Sequence, residues 1–165
     1  MVSIANRATL KLVQLLAAPS GLNTNIAALA QTENATLATI PVTHLFTDNV
    51  SSEIAEKSVA PKYTSVYVYC EKIVNTLKEK FRNFSGRIEM AIEVRVSQDR
   101  LEGIDRIAQL YTDAVTQTLN QSRGDWGQGL FYSGAFEIFF GTVKHGGRNF
   151  LKTAKVSLEV DASVD

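Results

Sequence analysis

Cysteine is almost missing from this chain. Cys70 is the only one in 165 residues, so no internal disulfide can form, and its place in an apolar, strand-like run marks it as a small buried hydrophobe. With neither a disulfide framework nor a signal-peptide pattern, the chain reads as intracellular in origin. Charge of one sign is missing too: Lys and Arg total 17, Asp and Glu total 17, and the formal net charge is zero. That balance speaks against a dedicated duplex-DNA binder, which normally carries a strongly basic footprint. No apolar run approaches the roughly 20 residues that a bilayer demands, so no membrane partner is expected. The stretch from Ala8 to Ala18 is interrupted by Lys11 and Gln14 and reads as an amphipathic helix, not a leader.

What is present suits one packed domain: 45% of the residues are hydrophobic and 21% charged. The texture changes near residue 60. Arg7, Lys11 and Lys57 are the only basic residues of the first sixty, which are rich in Ala, Thr and Asn. Residues 1–60 read as N-terminal helices with an extended arm, and residues 61–165 as the core of the same domain.

Ile4, Ala8, Leu12, Leu15 and Leu16 recur at helical spacing and predict a helix that ends at Pro19-Ser20-Gly21. A second helix over Asn25 to Gln31 has Asn23 or Thr24 as a cap. Val42 to Thr47 could be a strand, and the rest of 32–60 reads as loop. Tyr63 to Val74 is strand-like, with Val66, Val68 and Cys70 on one face and Tyr67, Tyr69 and Glu71 on the other. Arg87 to Ser97 alternates cleanly: Ile88, Met90, Ile92, Val94 and Val96 against Arg87, Glu89, Glu93 and Arg95. Such a strand is buried on one face, which favours antiparallel pairing. Asp99 to Glu102 has the spacing of a capping box. A helix running to about Gly124 follows, its stripe made by Leu101, Ile104, Ala108, Tyr111, Val115 and Leu119. Leu130 to Val143 and Asn149 to Asp161 read as two more strands. The expected fold is α+β, a mostly antiparallel four- to five-stranded sheet with helices packed on one face.

Catalytic patterns are thin. His44 and His145 stand in no metal-ligand spacing, and no G-x-S-x-G elbow occurs. Asp99, Glu102 and Asp105 fall in the first turns of a helix, where carboxylates favour the macrodipole. The glycines from Gly124 to Gly129 lack the Lys and Ser/Thr of a phosphate loop and precede a strand. Neither a catalytic residue nor a cofactor is assigned, and the chain reads as a non-enzyme. Lys78, Lys80, Arg82 and Arg87, interleaved with Phe81 and Phe84, could contact nucleic acid or form a solvated hairpin loop. The more telling feature is the sheet face away from the helices. There Tyr67, Tyr69 and Phe139 share a surface with Arg87, Glu89, Glu93 and Arg95, while Trp126 lies in a turn-rich loop as a lid or an anchor. Aromatics among charges of both signs suit contact with another protein chain, and these eight residues are the candidate interface. A small ligand-binding protein or enzyme with a cupped sheet is the alternative.

The strand, basic loop and alternating strand from Tyr63 to Ser97, followed by the helical stretch Asp99 to Leu119, resemble the tail terminator (tail-completion) and neck proteins of long-tailed bacteriophages. Gly127-Gln128-Gly129-Leu130-Phe131-Tyr132 and Ala135-Phe136-Glu137-Ile138 are similar to the strand pair that closes their sheet. Residues 20–60 are longer than the arm such proteins carry, which also fits another head–tail joining protein. The resemblance implies a virion subunit, made in the host cytoplasm, that forms a ring with copies of itself, typically a hexamer. Its implied partners are the tail tube protein and the head connector or neck proteins. Genomic DNA passes through the lumen without sequence recognition, and no catalytic residue comes with the family.

Overall fold

Two long strands form the spine of the protein. In the computed structural model, which describes residues 3–51, 63–77, 81–146 and 148–165, the chain opens with helices α1 (Ile4–Ala17) and α2 (Leu22–Thr32) and a single 3₁₀ turn (Val42–His44). Strands β1 (Leu45–Phe46), β2 (Ser65–Asn75) and β3 (Phe84–Gln98) follow, then helix α3 (Ile104–Gln121). Strands β4 (Gly124–Gly127), β5 (Leu130–Tyr132), β6 (Phe136–Phe140), β7 (Lys144–Gly146) and β8 (Asn149–Val164) complete the chain.

β3 and β8 pair antiparallel along their whole length, from Phe84 opposite Val164 to Gln98 opposite Phe150. The alternation in both strands sends Ile88, Met90, Ile92 and Val94 to the same face as Val156, Leu158 and Val160, all buried. α1 packs on β2 and β3, α3 on β3 and β8, and α2 rests on the other two helices, so all three lie on that face. Ala8, Leu12 and Leu16 of α1 and Ala108, Tyr111, Val115 and Leu119 of α3 complete the core. Each of the large aliphatic side chains among them contributes about 2 kcal/mol on leaving water.

The sheet corrects the expectation of a mostly antiparallel, four- to five-stranded layer. It has eight strands among the described residues and is mixed, because β1 runs parallel to β2 while the other pairings are antiparallel. The strand expected over Leu130 to Val143 is broken. The free edge of β8 is taken in succession by β5, β6 and β7, so the sheet curls around it. Gly129, at φ of 78°, turns the chain from β4 into β5, and Gly134, at 102°, turns it from β5 toward β6, both in a conformation that side-chain-bearing residues avoid. Strands of two to five residues are too short to leave a period that sequence can register.

Local departures have equally local causes. α2 begins at Leu22, so Asn23 and Thr24 lie inside it instead of capping it. Asn23 instead clamps the backbone of Ile40, donating to its carbonyl at 2.9 Å and accepting from its N–H at 2.8 Å. Asp99 does not stand at the helix N-terminus, because Gly103 takes a left-handed conformation and α3 starts only at Ile104. Gln98 wraps the intervening turn by donating to the carbonyls of Arg100 and Glu102. Leu101 is left exposed and outside the helix stripe. The segment from 33 to 50 is irregular yet anchored: Tyr111 donates to the Ala38 carbonyl at 2.8 Å, and His44 stacks on Tyr63 at 3.8 Å. Cys70 is half-buried beside the core.

Candidate assembly surface

The face of the sheet opposite the helices is built in rows, because paired strands bring side chains of equal parity into line. One row runs Phe46, Tyr67, Glu93, Lys155 and Phe139 across five strands. The next holds Tyr69, Ala91, Ser157 and Glu137. A register shift between Cys70 and Lys72 turns Lys72 onto this face, opposite Glu89 and then Glu159. That bulge was invisible to an alternation that counts every second residue.

The sheet therefore brings together seven of the eight candidate interface residues, in differing states of exposure. Tyr67 and Tyr69 are buried with Ala91 in a second, smaller cluster, against which Phe46 packs. Phe46 stacks on Tyr67 at 4.8 Å between ring centroids. The segment following β1 reaches the same corner, where its Val50 carbonyl accepts from Nη2 of Arg95. Arg95 is 4% exposed and is bonded through Nε and Nη2 to Glu93, at 3.0 and 2.5 Å. Burial pushes the Tyr67 hydroxyl pKa up, and the Arg95 cation over its ring works against that rise. Tyr69 is also raised, first by burial and then by the negative charges of Glu93 and Glu71.

Beyond this covered corner the face is open. Arg87 pairs with Glu159 at 3.0 Å and Lys72 with Glu89 at 2.9 Å, both pairs substantially exposed. Lys155 pairs with Glu71. Phe139 is 71% exposed, at the far end of the row that Phe46 begins. Trp126 does not join this surface: it belongs to the helix-side core, leans on Tyr132 at 5.4 Å and donates from Nε1 to the Ser122 carbonyl. Phe131, half exposed in line with Asp161 and Arg87, is an outer-face aromatic that was passed over. Its place between inward Leu130 and Tyr132 was the signal available.

Of the basic–aromatic segment from Lys78 to Arg87, residues 78–80 lie outside the described residues, and Phe81 is almost fully exposed. Among the described residues there is no group of three or more His, Cys, Asp and Glu side chains able to hold a metal ion, and no helix is long and apolar enough to cross a membrane.

No protein-family model matches this sequence, and no curated protein does either. The fold, by contrast, has a solved counterpart. A chain described as "Virion of native gene transfer agent (GTA) particle" superposes with a TM-score of 0.50 at 15% identity, over 98% of this chain and 99% of that one. The two chains share one α+β fold over nearly the whole length of each.

Proposed function

We propose that this protein is a structural virion protein that forms a ring with copies of itself at the tail–head junction of a phage-like particle. The observation that carries the reading is the end-to-end likeness to a chain of a gene transfer agent virion, which leaves little of either chain unaccounted for. The order strand, basic loop, strand, helix between residues 63 and 121, similar to tail terminators, adds the position: the ring ends the tail tube and joins it to the head connector. Its partners are then itself, the tube protein and the connector or neck proteins, and it acts by assembly and not by turnover.

The physical chemistry suits that role. A closed ring needs two unlike contact surfaces on each subunit. The open part of the outer face, with paired charges and Phe139, offers register and desolvated area. A conduit for DNA should not grip phosphates, which agrees with zero net charge. Size-exclusion chromatography with light scattering, followed by electron microscopy of the same fraction, tests the reading. The expected result is a ring with the mass of a hexamer. A chain that stays monomeric at every concentration and is missing from purified particles overturns it.

A further inference from the structure

Arg95 carries more hydrogen-bonding capacity than its neighbours use. Nε and Nη2 are engaged by Glu93 and Val50, but Nη1 is buried without a hydrogen-bond partner among the described residues, and so is the hydroxyl of Ser97 two residues along the same strand face. A buried guanidinium nitrogen left unbonded is costly and rare in native structures. Beside it lies a cleft of 490 Å³, bordered by Val50 and Ser51 on one side and Thr142 and Lys144 on the other, with Arg95 and Lys155 among its lining residues.

The lining carries three cations, Arg95, Lys144 and Lys155, against one anion, Glu93. Lys155 is further neutralised from outside the cleft by Glu71. One positive charge remains uncompensated, the charge of one carboxylate and less than a phosphate dianion requires. The exposed ring of Phe139 also borders the cleft, which suits a carboxylate carried on a protein surface better than a free ion.

We propose that this cleft is the seat of a side-chain carboxylate from a second copy of the chain. The choice of a second copy rests on the ring reading above and on charge: the chain is neutral overall, so a positive surplus here is matched by a negative surplus elsewhere on the chain. Glu137, exposed on the open face and without an ion pair among the described residues, is part of that surplus. Lys144 and the Thr142 hydroxyl meet the incoming oxygen at the mouth. Val50 and Ser51, tethered to the sheet through the two-residue β1, form the wall beside Arg95.

The test uses Lys144, exposed and outside the core, in the full chain. Lys144→Glu should raise the apparent dissociation constant of the oligomer at least tenfold by light scattering, and Lys144→Arg should leave it near wild type. Sodium acetate should raise the thermal midpoint of the wild-type protein above that in sodium chloride of equal ionic strength, and this difference should vanish in Lys144→Glu. If Lys144→Glu assembles as wild type does, the cleft proposal is overturned while the ring reading stands. If the wild-type chain is monomeric but still responds to acetate, a second copy is overturned as the source. Absence of any acetate effect, or a larger one from inorganic phosphate, overturns the single-carboxylate site.

Discussion

Arg95 lies over the ring of Tyr67, its guanidinium carbon 3.8 Å from the ring centroid, on the sheet face that alternation alone assigns to solvent. With Phe46 stacked on the same ring and Glu93 held by two nitrogens of Arg95, this corner is a miniature second core. Desolvated cation–aromatic contacts are worth about 2 kcal/mol, and a buried cation must keep its anion to be tolerated at all.

Arg95→Ala should therefore destabilise the subunit by about 3 kcal/mol, because it strands the mostly buried Glu93 carboxylate and uncovers Tyr67. Arg95→Lys should recover only part of the loss, since an ammonium lacks the planar fork that reaches both Glu93 and Val50. Urea unfolding of the two variants decides this; equal stability of Arg95→Ala and wild type contradicts it.

Ile92→Asp should abolish folding. Ile92 is fully buried at the centre of the helix-side core, and an unpaired carboxylate there costs several kcal/mol, a large share of a small domain's stability. Loss of the cooperative thermal transition by circular dichroism is the expected result.

Tyr69→Ala should cost about 3 kcal/mol. An interface residue waiting for a partner could be truncated with little effect on the isolated subunit, but Tyr69 is only 6% exposed before any partner arrives. Phe139→Ala, on the open part of the same face, should leave the thermal midpoint within a degree or two and weaken oligomerisation instead. Melting and light scattering on both variants separate the two roles.

Gly129→Ala should disrupt the β4–β5 hairpin. Gly129 has φ of 78°, and a Cβ there would stand 2.0 Å from the Ser163 carbonyl oxygen, a distance no side chain can occupy. The N–H of Ser163 donates to the Gly129 carbonyl at 2.8 Å, so the clash falls on a bond that joins the hairpin to β8. Faster hydrogen exchange at Ser163 is the specific readout.

Stability should fall on the alkaline side. Burial raises the Tyr132 hydroxyl from about 10 to about 12 in the folded chain, and Tyr69 is raised as well. Below pH 10 the phenol is protonated in both states and stability does not depend on it. Above pH 10 the unfolded chain ionises first, so stability is lost as pH climbs through 12. Urea midpoints from pH 8 to 12 should decline over that window, and Tyr132→Phe should flatten the decline.

Residue order alone determined the helix-side core. Long elements repeat their period many times, so β3, β8, α1 and the stripe from Ile104 to Leu119 announce which face each one buries. That logic also placed Tyr67, Glu93 and Phe139 on one surface. Only the tertiary structure decided what lies on that surface. β1 has two residues, too few to carry a period, yet it brings Phe46 and Val50 over Tyr67 and Arg95 from more than twenty residues away. The fate of Trp126 was likewise decided by packing: β4 turns the indole into the helix-side core, where it leans on Tyr132 of the neighbouring strand. Periodicity is a local property of the chain and survives in the sequence. Coverage of one face by a distant segment depends on loop closure and long-range contacts, which no local pattern encodes.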